Sequence, residues 1–181
     1  MDSYFDLETY SVDRTPDIYK DKIVAITFAP FSWRDDFKLQ FTECLMISEY
    51  GTLGDASEKA MLQDFIKRTN ILSNQWNFVP HGANIGIFDL LIFAQRVRYH
   101  NLGVFDLRRP YVDIKNILVV ANRGQFKEWN RKLLEKGKQG DGSEIAGMVE
   151  RAEWDRIKAY SIGEIAPFFS VLRELRDRLG A

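Results

Sequence analysis

Two carboxylates, Asp6 and Glu8, stand one residue apart in the segment Tyr4-Phe5-Asp6-Leu7-Glu8-Thr9-Tyr10. In an extended strand, residues i and i+2 share a face, so both acids stand together while Phe5 and Leu7 point the other way. Adjacent anions repel, and in a partly buried setting they call for protonation or a cation. Two readings fit this segment alone: a divalent-metal site, or an exposed edge strand with an acidic outer face. Asp89 follows Phe88 near the start of an apolar helical stretch, where the macrodipole favours an aspartate as a simple cap. Tyr160 and Glu164 are four apart, a spacing that puts both on one face of a helix but is common on surfaces. Asn84, flanked by Gly82 and Gly86, has an ordinary use as a turn former.

The elements that must position these residues follow from periodicity and punctuation. Residues 3–10, 23–29 and 43–48 read as strands, and their links contain Pro16, Asp17, Pro30 and Arg34-Asp35-Asp36, which are turn material. They predict an antiparallel meander whose first strand is buried centrally. A helix with Ser57 as its N-cap carries the stripe Ala60, Leu62, Phe65 and Ile66. A strand at Trp76–Val79 leads through Pro80-His81-Gly82 to Asn84, and helical periodicity returns from about Phe88 to Tyr99. A mixed helix-and-loop region follows over 113–137, then a glycine-rich run from Gly137 to Gly142. A short helix capped by Asp141 or Ser143 ends near Val149, and a last helical stretch runs from Trp154 to Leu179. Strands first and helices later predict an α/β or α+β arrangement around one sheet, with residues 1–181 as a single domain.

Taken in order, these segments resemble the three motifs of the DEDD exonuclease group, in the version with tyrosine in the last motif. The similarity is to the exonuclease domains of B-family DNA polymerases and related stand-alone exonucleases. Phe5-Asp6-Leu7-Glu8-Thr9 matches the first motif, Asn84 with Phe88-Asp89 the second, and the run from Trp154 through Tyr160 leads to the last. The resemblance implies a ribonuclease H-like α/β fold, a mixed five-stranded sheet flanked by helices. It implies that Asp6, Glu8, Asp89 and Glu164 hold two Mg²⁺ or Mn²⁺ ions and that Tyr160 orients the attacking water. It also implies that Asn84 and Phe88 help to hold the terminal nucleotide. The chain departs from the group at Glu164, where the pattern has aspartate; the extra methylene moves the carboxylate by about a bond length, a displacement to which such catalysis is sensitive. Pro167, three residues on, is expected to kink the helix.

Composition agrees with this chemistry. One cysteine, Cys44, excludes an internal disulfide framework and a cysteine-cluster metal site, and His81 and His100 are too few for a typical zinc centre. Any metal is therefore expected to be oxygen-bound. A single cysteine and the lack of a membrane-length apolar run or signal-peptide pattern fit a cytoplasmic protein away from membranes. The net charge of −1 hides segregation: residues 1–64 carry thirteen acids and six bases, whereas residues 95–138 carry eleven bases and four acids. Such a division suits an acidic metal centre beside a polyanion-binding surface. Tyr99, Phe105, Tyr111, Phe126 and Trp129 interleave with the bases, as in grooves that bind single strands. Lys127, Arg131 and Lys138 are the candidate phosphate contacts.

The expected activity is a divalent-metal-dependent 3′→5′ exonuclease acting on single-stranded DNA or RNA ends. The expected partner is nucleic acid with a single-stranded 3′ end, and a polymerase or repair protein would be a separate chain. The alternative is a catalytically silent exonuclease fold that binds nucleic acid or a partner protein, for which Glu164 and Pro167 are the best support.

Overall fold

The computed structural model describes residues 1–12, 17–73, 77–121, 123–125 and 142–179. Strand β1 (Asp2–Tyr10) lies centrally in the sheet, antiparallel to β2 (Lys22–Ser32) and parallel to β5 (Val79–Gly82). Beyond β5 lies β6 (Val112–Asp113), parallel to it. On the other side, β3 (Lys38–Leu39) and β4 (Glu43–Met46) both pair with β2, one beyond the other along the same edge. Six strands thus fill five lateral positions of a mixed sheet.

Residues 23–31 of β2 are all buried, the uninterrupted pattern of a strand covered on both faces. On one face, Phe5 packs against Phe65 of α1 (Asp55–Thr69) and Phe93 of α2 (Asp89–Tyr99), with ring centroids 5.6 and 6.0 Å apart. A buried three-way contact locks this layer to the sheet. Glu58 of α1 accepts from the Ile23 backbone N–H (2.9 Å) and pairs with Arg96, and it lies 3.0 Å from His100 Nε2. Its carboxylate is fully buried but meets several donors, the condition under which a buried charge is tolerated.

The other face carries Tyr4, Asp6 and Glu8. Four further α-helices complete the described architecture: α3 (Ile114–Ala121), α4 (Ile145–Glu150), α5 (Trp154–Gly163) and α6 (Ile165–Leu179). Tyr4 meets Phe168 of α6 edge-on at 4.9 Å, within a second apolar cluster that includes Ala29, Ile114, Phe169 and Leu172. The expected α/β class, a mixed sheet flanked by helices, is the one observed.

Several boundaries differ from expectation. The strand expected at 76–79, whose Trp76 lies outside the described residues, is Val79–Gly82, three residues further along, because Val79, Pro80 and His81 pair beside Asp2, Ser3 and Tyr4. Ser57 does not cap α1; its hydroxyl donates to the Thr52 carbonyl, and Gly54 precedes the helix. The single C-terminal helix is two, interrupted at Glu164. Pro167 therefore causes no kink: it is the third residue of α6, in the first turn, where a backbone N–H has no intrahelical partner to lose. No helix among the described residues is long and apolar enough to cross a membrane.

Candidate functional site

Alternation along β1 does place Asp6 and Glu8 on one face, against the C-terminal helices and away from the phenylalanine core. Asp6 lies opposite Thr27 and Glu8 opposite Ala25 in the β1–β2 register. The edge-strand reading fails on two counts: β1 is paired on both sides, and Glu8 is buried. Gly82 lets β5 come this close to β1, since a Cβ there would stand 2.9 Å from the Phe5 carbonyl oxygen.

Asp89 is the first residue of α2 and is also buried. Its Oδ1 accepts the backbone N–H of Leu7 at 3.2 Å, which fastens the helix start to β1 between the two acids. Capping and site-building are therefore combined in one side chain. Burial first, and then the charge of Asp6, pushes its carboxyl well above the ordinary aspartate range.

Glu8 shows the same signature. Burial raises its carboxyl well above the usual glutamate range, and Asp6, Glu164 and Asp89 each add to the rise; a hydrogen bond from Ser161 opposes it. The Ser161 hydroxyl lies 3.3 Å from Glu8 Oε1. Glu8 thus feels the charge of carboxylates from three distant parts of the chain.

Tyr160 and Glu164 meet at the break between α5 and α6. Tyr160 is half-buried and hydrogen-bonded to Glu164, and its phenol is pushed far above its usual value by burial and by Glu8 and Glu164. The Glu164 carbonyl accepts the Phe168 N–H at 3.2 Å as the first acceptor of α6, so the carboxylate stands at a helix start, the end that favours negative charge. Asp6 and Glu164 line one small cavity of about 60 Å³ with Tyr4, Ala83 and Pro167. A larger cavity of about 320 Å³ adjoins Glu8, bounded by Leu7, Thr9, Phe88 and Ser143 among others.

The second-motif residues reach this region differently. Phe88 is half-buried beside the larger cavity. Asn84 lies in the loop after β5, with φ at +66°, a left-handed conformation that asparagine tolerates better than most residues. Of the aromatics in the basic segment, Phe105 is core, packed on Phe93 at 5.2 Å, whereas Tyr99 and Tyr111 are exposed. Lys127, Arg131 and Lys138 lie outside the described residues, as do Phe126 and Trp129.

Sequence reasoning missed Ser161, which is adjacent to Tyr160 and touches Glu8, and the pair Asp113 and Lys115, which bonds to the Asn84 loop. Ser161 was within reach, because on a helix it shares a face with Ile157 and follows the motif tyrosine. Nothing in sequence linked Asp113 to Asn84, since parallel pairing of β5 with β6 joins them across 29 positions.

The donor set is all carboxylate oxygen, which suits a hard divalent ion rather than zinc or copper. As arranged, however, no group of three or more His, Cys, Asp or Glu side chains among the described residues is placed to hold a metal ion. Mutual repulsion among these acids opposes such closure when nothing neutralises them.

No family model matches the sequence, and no curated protein matches it. Among solved structures, the chain is similar to E. coli Exonuclease I in complex with a dT13 oligonucleotide, at 10% identity and a TM-score of 0.51 over 89% of this chain and 42% of that one. A second structure of E. coli Exonuclease I, in complex with a 5cy-dA13 oligonucleotide, matches at 10% identity and a TM-score of 0.47 over 77% and 32%. The chain therefore spans less than half the length of the exonuclease chains it matches. At this identity the likeness is one of fold alone: the α/β fold is similar to that of E. coli Exonuclease I.

Proposed function

We propose that the protein is a divalent-metal-dependent 3′→5′ exonuclease that shortens single-stranded DNA or RNA ends. The observation that carries this reading is that Asp6, Glu164 and Asp89 all lie close enough to the buried Glu8 to raise its carboxyl, beside a half-buried tyrosine. In this reading Asp6, Glu8, Asp89 and Glu164 would together hold two Mg²⁺ or Mn²⁺ ions. When bound, such ions would supply an activated water, charge neutralisation on phosphorus and help for the leaving oxygen. Tyr160 keeps its proton at all ordinary pH values, because burial and the neighbouring anions hold its phenol far up. It therefore orients the attacking water by hydrogen bonding and is no general base. Asn84 and Phe88 hold the terminal nucleotide, Phe88 from the wall of the 320 Å³ cavity beside Glu8 and Asn84 from the margin of the smaller cavity at Asp6. The oligonucleotides in the E. coli Exonuclease I structures support nucleic acid as the partner class.

A second reading rests on a specific observation. The acids do not form a ready metal cage as they stand, and Glu164 replaces an aspartate of the motif, so a silent fold that only binds nucleic acid is the competitor. The deciding experiment uses 5′-labelled single-stranded DNA and RNA with Mg²⁺ or Mn²⁺, comparing wild type with Asp6→Ala. Stepwise shortening that the variant loses is the expected result. Binding without shortening under either ion would leave the silent fold standing. Glu164→Asp is the companion: a large gain in rate identifies that position as the limit of a slow enzyme.

A further inference from the structure

Lys115 breaks a local rule. It is the second residue of α3, at the helix end whose dipole disfavours a cation. Residues that break a local preference are where a compensating role is to be sought. Its ammonium donates to Asn84 Oδ1 at 3.0 Å, across 31 positions of sequence. Asp113, directly before α3, fixes the same loop from the other side. Its Oδ1 accepts the backbone N–H of Lys115 at 3.0 Å, as a helix cap, and the backbone N–H of Asn84 at 3.0 Å. Its Oδ2 lies 3.5 Å from the Gly86 N–H, and Gly86 is held tightly because a Cβ there would stand 2.7 Å from the Tyr111 ring.

The chemistry of this contact has one consequence for the site. An ammonium only donates, so the amide oxygen of Asn84 must face Lys115 and the NH₂ must face away. Ala83 and Ile114, the neighbours of Asn84 and Lys115, line the small cavity that also holds Asp6 and Glu164. The contact therefore sits at the margin of the acidic cluster. Resting on the nuclease reading above, we infer that Lys115, with Asp113, is a positioning residue: it holds Asn84 so that its NH₂ is presented to an oxygen acceptor on the terminal nucleotide.

An oriented amide that binds substrate and transition state alike acts on KM and leaves kcat largely unchanged. Lys115→Met keeps the aliphatic stem and removes the donor, and Asn84→Gly removes the amide at a backbone conformation glycine accepts freely. Each is expected to raise KM for a single-stranded oligonucleotide by roughly five- to tenfold, the worth of one hydrogen bond, with the double variant no worse than either single. Lys115→Arg, which retains a donor, is expected to stay near the wild-type KM. Additive single effects, a KM unmoved by Lys115→Met, or a fall in kcat accompanied by lower thermal stability would each overturn the role. The two readings fail separately. Wild-type protein that shortens no oligonucleotide defeats the nuclease reading and this inference together. Wild-type protein that shortens it while both single variants keep its KM defeats the parts given to Asn84 and Lys115 and leaves the nuclease reading standing.

Discussion

Tyr160 carries a proton into the neighbourhood of Glu8, Glu164 and Asp6. Burial, Glu8 and Glu164 all push its phenol up, and Glu164 accepts its hydrogen bond. Such a group offers a fixed donor, so its loss should affect the step in which water is oriented and leave binding alone. Tyr160→Phe is expected to lower kcat by roughly 10- to 100-fold, at the weak end of proton-donor effects, with KM within about twofold. An unchanged kcat in steady-state assays would remove tyrosine from the reaction. At this scale the first strand was the most legible part of the chain: alternation alone put Asp6 and Glu8 on one face, and the structure agrees. Glu164 was less so. The sequence 154–179 is helical in periodicity apart from Gly163 and Pro167, which signal an irregularity without placing it, and packing of Phe168 and Phe169 against Tyr4 and Phe31 sets the direction of the second helix.

The elements that bring the acids together are β1, β5 and the two helices that leave the sheet at Asp89 and enter it at Glu164. Their spacing depends on how closely β5 approaches β1. A side chain at position 82 would meet the Phe5 carbonyl oxygen at 2.9 Å and the Ile85 side chain at 3.2 Å, and the first of these is backbone that cannot swing away. Gly82→Ala is therefore expected to cost about 1–3 kcal/mol of stability, read as a lowered Tm, with activity reduced further because the Asp89 loop moves with the strand. A variant that melts with the wild type would show that the two strands have room to spare. Long apolar or alternating segments such as β1, β2 and α2 were readable from periodicity. The two-residue strands Lys38–Leu39 and Val112–Asp113 were not, because two residues carry no period and exist only through pairing with a neighbour.

Across the whole molecule, a further buried titrating group lies away from the acids. His81 is buried between Phe31 and Trp33, and burial pushes its imidazole down to about 3. Its Nε2 lies 2.9 Å from Asp2 Oδ1, so the neutral ring donates there. The unfolded chain, with an ordinary histidine near 6.5, takes up this proton before the folded one does. Stability is therefore held above about pH 6.5 and falls as pH drops toward 3, by roughly 1.4 kcal/mol per pH unit from this group. The His81 ring signals in NMR are expected to stay in the neutral form between pH 5 and 8, and a midpoint near 6.5 would contradict the assignment.

The central claim is that Asp6 at one end of the chain and Glu164 at the other serve a single divalent-ion site. Binding of Mn²⁺ to the protein, followed by loss of the free-ion signal in electron paramagnetic resonance, tests it without requiring turnover. Wild type should remove Mn²⁺ from solution at neutral pH, and Asp6→Ala and Glu164→Ala should each weaken that uptake. Wild-type protein that leaves the free signal untouched, or both variants binding as it does, would contradict the account.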